Sequence, residues 1–200
     1  KETTEGARLW INHVNARGGV HGQKIELVQM DDKFDPPVAK ANAKVLIEDK
    51  NVLALFLNRG TPHTEAVIPL LEQHGVPLVA PSTGAMVLHQ PVRRNVFNVR
   101  ATYQREAEKA VVHLSTMGMN RIVVVHADDS FGLDGLEGAS KGFRKAGFEP
   151  VAVIKADRQK PDYKSIVPAI TAKEAQAVLW IASGNAVAEG VKALREANSA

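Results

Sequence analysis

Apolar positions along the chain switch repeatedly between a 3.6-residue period and short solid runs, the signatures of amphipathic helices and buried strands. Ala7, Trp10, Ile11 and Val14 share one face of a helix predicted over residues 3–17, which Gly18 and Gly19 end. KIELVQM at 24–30 alternates as a strand does, and Val38, Ala41, Val45 and Leu46 restore the helical stripe behind Pro36 and Pro37. VLALFL at 52–57 reads as a buried strand, Ala66, Val67, Leu70 and Leu71 as a helix, and VPLVA at 76–80 as another strand. Ala107, Ala110, Val111 and Leu114 then form one helical face, before the strand RIVVVH at 121–126. A helix near 131–146, the strand FEPVAVI at 148–154, a helix near 163–173, the strand AVLWIA at 177–182 and a helix from about 186 complete the series.

Strands alternate with helices, and the strands are rich in Val, Ile and Leu without a clean polar face. Buried parallel strands covered by helices on both sides have this composition. The class is therefore α/β. The irregular passage from Ser82 to Gln104 reads as the crossing between two lobes, with the boundary near 99–104: residues 1–101 form one lobe and 102–200 the other. A series that opens on a helix instead of a strand implies that a strand precedes residue 1.

Parallel sheets of this kind bind ligands at the carboxyl ends of their strands, where helix N-termini and free backbone N–H groups point. The candidate loops follow Leu57 (NRGTPHT), Ala80 (PSTGA), His126 (ADDSFG) and Ile181 (ASGNA). Gly60 allows close approach, Thr61 offers a hydroxyl and an N–H, and Pro62 suits a first helical turn. Thr61, Ser82 and Ser130 each have a plainer reading as helix N-caps, and taken singly that reading leads. As a set on one sheet edge they point to a binding site. The pairs Asp31–Asp32 and Asp128–Asp129 read as solvated caps ahead of metal or phosphoryl chemistry.

Composition narrows the function further. The 200 residues are 44% hydrophobic and 24% charged, as in ordinary globular domains. The formal charge of +3 comes from basic residues scattered through the helices, which argues against a nucleic-acid patch. Without cysteine there is no disulfide, thiol nucleophile or thiolate zinc site. Seven histidines form neither HxxxH nor HExxH, so no metal is predicted, and His126 reads as a strand-end residue bonded to its neighbours. There is no P-loop and no GxSxG elbow, and the glycines at 18, 19 and 22 follow a helix where a dinucleotide fingerprint must follow a strand. No cofactor and no catalysis are expected.

Four stretches carry a family resemblance: INHVNARGGVHGQKIELVQMDDKFDPPVAKANAKVLIEDKNVLALFL, HGVPLVAPSTGA, RIVVVHADDSFGLDGLEGASKGFRKAGFEP and DYKSIVPAITAKEAQAVLWIASG. In order and spacing the chain resembles the periplasmic solute-binding proteins of ABC transporters, specifically the branched-chain amino acid binding group with the type I periplasmic-binding fold. The resemblance implies two doubly wound parallel-sheet lobes joined by hinge crossings and closing on a small ligand. It also implies a first strand before residue 1, and further second-lobe sequence and the acidic partner of a ligand ammonium after residue 200. Gly60 and Thr61 would hold a ligand carboxylate. Ser82, Thr83 and Gly84 would supply an N–H to the carboxylate, and a carbonyl and hydroxyl to the ammonium, with Gly84 standing where a threonine is common. Phe131 stands where the family usually has tyrosine, and the loop containing Asn185 lacks the family's tyrosine. Arg100 and Tyr103 add a cation and a phenol at the crossing. These departures imply a carboxylate ligand that need not be an aliphatic amino acid, with an aromatic or short organic acid possible. The expected partners are that ligand and a membrane permease, for a monomer in the periplasm or lipid-anchored outside the cell. The competing reading is a ligand-sensing domain of a receptor or transcription regulator on the same fold, and an enzyme of flavodoxin-like or Rossmann type ranks third.

Overall fold

The computed structural model describes residues 2–198. Helix α1 (Glu2–Ala16) is ended by two glycines in the left-handed region, where Gly19 N–H donates to the Val14 carbonyl at 3.0 Å. The segment at 24–30 forms no strand, contrary to its alternating pattern. Alternation makes a strand only when a neighbour supplies ladder hydrogen bonds, and among the described residues none does. Instead the Asn15 amide clamps the segment to α1, exchanging two bonds of 2.8 Å with the backbone of Ile25.

Helix α2 (Pro36–Glu48) starts where Asp35 Oδ1 accepts from Val38 N–H at 3.0 Å, with proline in its first turn. Then come β1 (Leu55–Phe56), α3 (Thr61–His74), β2 (Leu78–Val79), a 3-10 turn at Met86–Leu88 and β3 (Val96–Phe97). These three strands form one parallel sheet in the order β1-β2-β3, with Leu78 opposite both Leu55 and Val96. The strands are shorter than the apolar runs around them. β3 lies inside the passage read as irregular crossing, and its two residues are too few to leave a periodic signal. Ile47, Val67, Leu71 and Leu78 build the core beneath this sheet.

Helix α4 (Tyr103–Thr116) leads into β4 (Ile122–Ala127), α5 (Ser130–Ala146), β5 (Ala152–Ala156), α6 (Tyr163–Thr171), β6 (Ala177–Ile181) and α7 (Asn185–Asn198). The second parallel sheet has the order β5-β4-β6, so its first strand is central and the direction of winding reverses beside it. Every residue of β4 is buried. Ile122 and Val124 pack on Val111 and Phe143 of α4 and α5, while Val123 and Val125 pack on Ile166 and Ile170 of α6. Strand β5 begins four residues later than the run FEPVAVI suggests, because Phe148 turns back to pack edge-on against Phe143 at 5.4 Å. Helices α4 and α5 approach closely along Gly138 and Gly142. A Cβ on Gly138 would lie 2.3 Å from the backbone of Gln104.

Candidate ligand-binding site

Strands β1 and β2 stop in the same way. The next residues, Leu57 and Ala80, have φ of 56° and 51°, a left-handed conformation that non-glycine residues adopt at a cost of about 1–3 kcal/mol. Each turn throws the chain out at the carboxyl edge of the sheet, and the two loops meet there. Thr61 Oγ1 and Thr83 Oγ1 share a hydrogen bond of 2.8 Å, and both side chains are buried. Ser82 stays partly exposed, held by its N–H to the Asn58 carbonyl at 2.8 Å.

Thr61 is not a helix cap: it is the first residue inside α3, and Gly60 occupies the cap position with φ 92° and no side chain to offer. Gly60 is required twice over, by that φ and because a Cβ would lie 2.6 Å from His63 Nδ1. Helices α2, α4, α5 and α6 are each capped by a side-chain oxygen, from Asp35, Thr102, Asp129 and Asp162. Ser130 is likewise not a cap. Asp129 Oδ1 accepts Gly132 N–H at 3.0 Å, which frees the Ser130 hydroxyl to donate to Glu65 of α3 at 2.6 Å. Ser82 precedes no helix.

A ladder of rings and guanidinium groups runs beside these loops. His63 packs on Phe34 at 4.3 Å, and Arg158 lies over both Phe34, at 5.5 Å, and Phe131, at 5.0 Å. Phe131 meets Tyr103 edge-on at 5.0 Å, and Arg100 covers Tyr103 at 4.6 Å while pairing with Glu106. Arg59 adds a second guanidinium over Phe34 at 5.9 Å. The ladder joins residues of the first sheet's loops to residues of the second. Phe34 itself has φ 56°, following Lys33 at 51°, and the N–H groups of these two residues bond to Asp32 and Asp31. Those aspartates are therefore turn formers.

Gly84 ties the second loop to the crossing: its carbonyl accepts Tyr103 N–H at 2.9 Å, and a Cβ would lie 2.5 Å from the Ala101 carbonyl. Asp134 on α5 accepts from Met86 N–H at 3.1 Å and from the Gln104 amide at 2.9 Å. Burial pushes the Asp129 carboxyl up, but the hydrogen bond and charge of Arg158, with the Gly132 and Phe131 N–H groups, outweigh it and hold the pKa below 3.8. Asp128 pairs with Lys155 at 3.1 Å. His126 is buried, and its Nδ1 lies 2.9 Å from the Ala127 carbonyl. Among the described residues, no three His, Asp or Glu side chains gather as a metal site.

The structure thus links Gly60, Thr61, Ser82, Thr83 and Gly84 with Arg100, Tyr103 and Phe131 through contacts along one edge. Asn185 opens α7 as an exposed residue, and it is Ser183 that comes within 3.5 Å of Arg158 Nη1. A concavity of about 400 Å³ borders this edge, lined by Asp129, Lys155, Asp157 and Arg158. A larger one, about 920 Å³, lies along α4 and α5 with Arg105, Lys109, Lys141 and Lys145. Neither is lined by Thr61, Ser82, Thr83 or Gly84. Sequence reasoning missed Phe34, Arg59, His63 and Arg158. The available signal was position: Arg158 follows β5 by two residues, once that strand is placed to end at Ala156.

Known proteins resemble the chain in sequence and fold. A protein of Brucella abortus named Leu/Ile/Val-binding protein homolog 6 is 30% identical over 174 residues, 82% of this chain and 44% of that protein. A substrate-binding periplasmic protein of Ralstonia solanacearum superposes with a TM-score of 0.89 at 28% identity, over 96% of this chain and 54% of the other. A solute-binding protein of an ABC transporter from R. palustris, solved with benzoate, shares the fold at a TM-score of 0.85 and 22% identity, over 92% of this chain and 52% of that one. The chain spans about half the length of the curated relatives it matches, 47% and 44% for two of them. The family described as periplasmic binding protein matches residues 1–200, and the chain belongs to that family.

Proposed function

We propose that the protein is the extracytoplasmic solute-binding component of an ABC importer, and that it captures a small carboxylate between two lobes. The observation that carries this reading is the meeting of the two strand-end loops, where Thr61 and Thr83 share their hydrogen bond beside a helix whose cap position is a glycine. In a pair of hydroxyls one donates and the other keeps its proton for a third partner. The first N–H groups of α3 carry the positive end of the helix dipole, so an anionic group is favoured there. Residues 1–101 form the first lobe and 102–200 belong to the second. Thr61 and the loop of Ser82, Thr83 and Gly84 take the carboxylate, and Phe131, Tyr103 and Arg100 face the rest of the ligand, with Asn185 at the rim. The Ser130–Glu65 and Asp134–Met86 bonds join the lobes, and a ligand with better contacts in the joined state shifts the population toward it. A permease recognises that state, and the protein acts as a monomer without catalysis.

Relatives named for leucine, isoleucine and valine, and a fold neighbour holding benzoate, support a carboxylate ligand of either kind. Calorimetric titration of the full-length protein with amino acids and aromatic acids tests the reading. Saturable binding is expected, weakened about 10- to 100-fold by Thr61→Val through loss of a hydrogen bond to a charged group. Binding of no carboxylate in the panel, or an unchanged affinity in the variant, rejects it.

A further inference from the structure

Arg158 holds more hydrogen-bonding capacity than the protein uses. Its Nε donates to Asp129 Oδ2 and its Nη1 approaches Ser183, while Nη2 is buried with no partner among the described residues. The side chain is 19% exposed and clamped between Phe34 and Phe131. A buried donor without a partner is costly, more so on a charged group. His63, which packs on Phe34 at 4.3 Å, is 2% exposed, and neither of its ring nitrogens has a partner among the described residues. Arg59, an exposed guanidinium, lies near the same ring at 5.9 Å from its centroid.

Resting on the function proposed above, we infer that the ligand carries two acidic groups and that Arg158 binds the second. The first carboxylate, held at the start of α3, leaves Nη2 unpaired. A second carboxylate reaching the ladder supplies its partner. Guanidinium is suited to it, because its planar fork can bond Asp129 through one edge and a ligand oxygen through another. The rings of Phe34 and Phe131 favour a flat body between the two acids. The ladder also connects the ends: Gly60 packs on His63, His63 on Phe34 and Phe34 on Arg158. Because Arg158 stands in the loop after β5 of the second sheet and Phe34 on the first lobe's loop, the second carboxylate is read when the lobes are together.

The test compares acids with their half-amides in the full-length protein: terephthalate against 4-carbamoylbenzoate, and glutarate against glutaramate. Each half-amide keeps one carboxylate and a neutral acceptor. At least one diacid is expected to bind tenfold or more tightly than its half-amide, and Arg158→Gln removes that preference while leaving half-amide affinity within about threefold. Arg158→Lys serves if the glutamine variant fails to fold; it keeps the charge, loses the fork, and reduces the preference several-fold. Equal affinity of each diacid and its half-amide in the wild type, or a preference unchanged in both variants, overturns the inference. Tight binding of monocarboxylates alone also overturns it and leaves the proposed function standing, whereas binding of no carboxylate removes both.

Discussion

Replacing His63 with leucine exchanges a buried ring that bonds to nothing for an apolar side chain of similar volume. His63 is 2% exposed, lies against the Cα of Gly60 and stacks on Phe34 at 4.3 Å. In the neutral ring one nitrogen is a donor and the other an acceptor, and neither has a partner among the described residues. Removing a desolvated, unsatisfied polar group recovers about 1–3 kcal/mol, against about 0.5–1.5 kcal/mol for a lost aromatic contact. With two such nitrogens the net expectation is a gain of about 1–3 kcal/mol. For a domain of this size each kcal/mol moves Tm by about 2–4 °C, so the ligand-free variant melts about 2–12 °C higher. Scanning calorimetry and urea unfolding of the ligand-free protein read this directly. The same variant is expected to bind carboxylates more weakly, because the orphaned nitrogens stand beside the start of α3. A loss of more than about 1 kcal/mol refutes the reasoning, since it means the ring is satisfied within the protein.

Three further outcomes follow from the geometry. Gly138→Ala drives a Cβ to within 2.3 Å of the Gln104 backbone; the helix-propensity gain of about 1 kcal/mol is outweighed, and a net loss of about 2 kcal/mol is expected in urea unfolding. Asp129→Asn keeps an N-cap oxygen but removes the charge facing Arg158. Because the folded-state pKa of Asp129 lies below 3.8, its stabilisation is present above that value and lost as pH falls through the folded value. The variant is therefore less stable at pH 7, with the gap to wild type closing below about pH 4. Glu65→Ala removes the acceptor of the Ser130 hydroxyl, and weaker carboxylate binding with unchanged urea stability is expected of a bond that joins the lobes.

The fold is legible in the sequence where hydrophobicity alone decides it. Ile122, Val123, Val124 and Val125 are apolar on both faces because helices cover both faces, and that composition is visible without coordinates. The segment at 24–30 misleads because its pattern is that of a strand, and pairing depends on a neighbour that a local pattern does not encode. Phe148 misleads by contributing to an apolar run while packing on Phe143 outside the strand. At the site, Thr61 taken singly reads first as a cap, since a hydroxyl before a helix suits that role as well as ligand contact; its place as the first residue inside α3 rests on the left-handed turn at Leu57 and on Gly60. Arg158 and Phe34 are 124 positions apart and look like a surface charge and a loop aromatic until the two lobes bring them into contact.

The proposed function requires a carboxylate to draw the two lobes together. With any native cysteine of the full-length protein replaced, cysteines placed at exposed Gln73 and Lys173 can carry a donor–acceptor dye pair on the two lobes. Titration with the panel of mono- and dicarboxylates is predicted to give a saturable rise in energy transfer, absent when the acids are replaced by amides and displaced to higher concentration by Thr61→Val. Tight carboxylate binding with no change in transfer, or the same change produced by the amides, contradicts it.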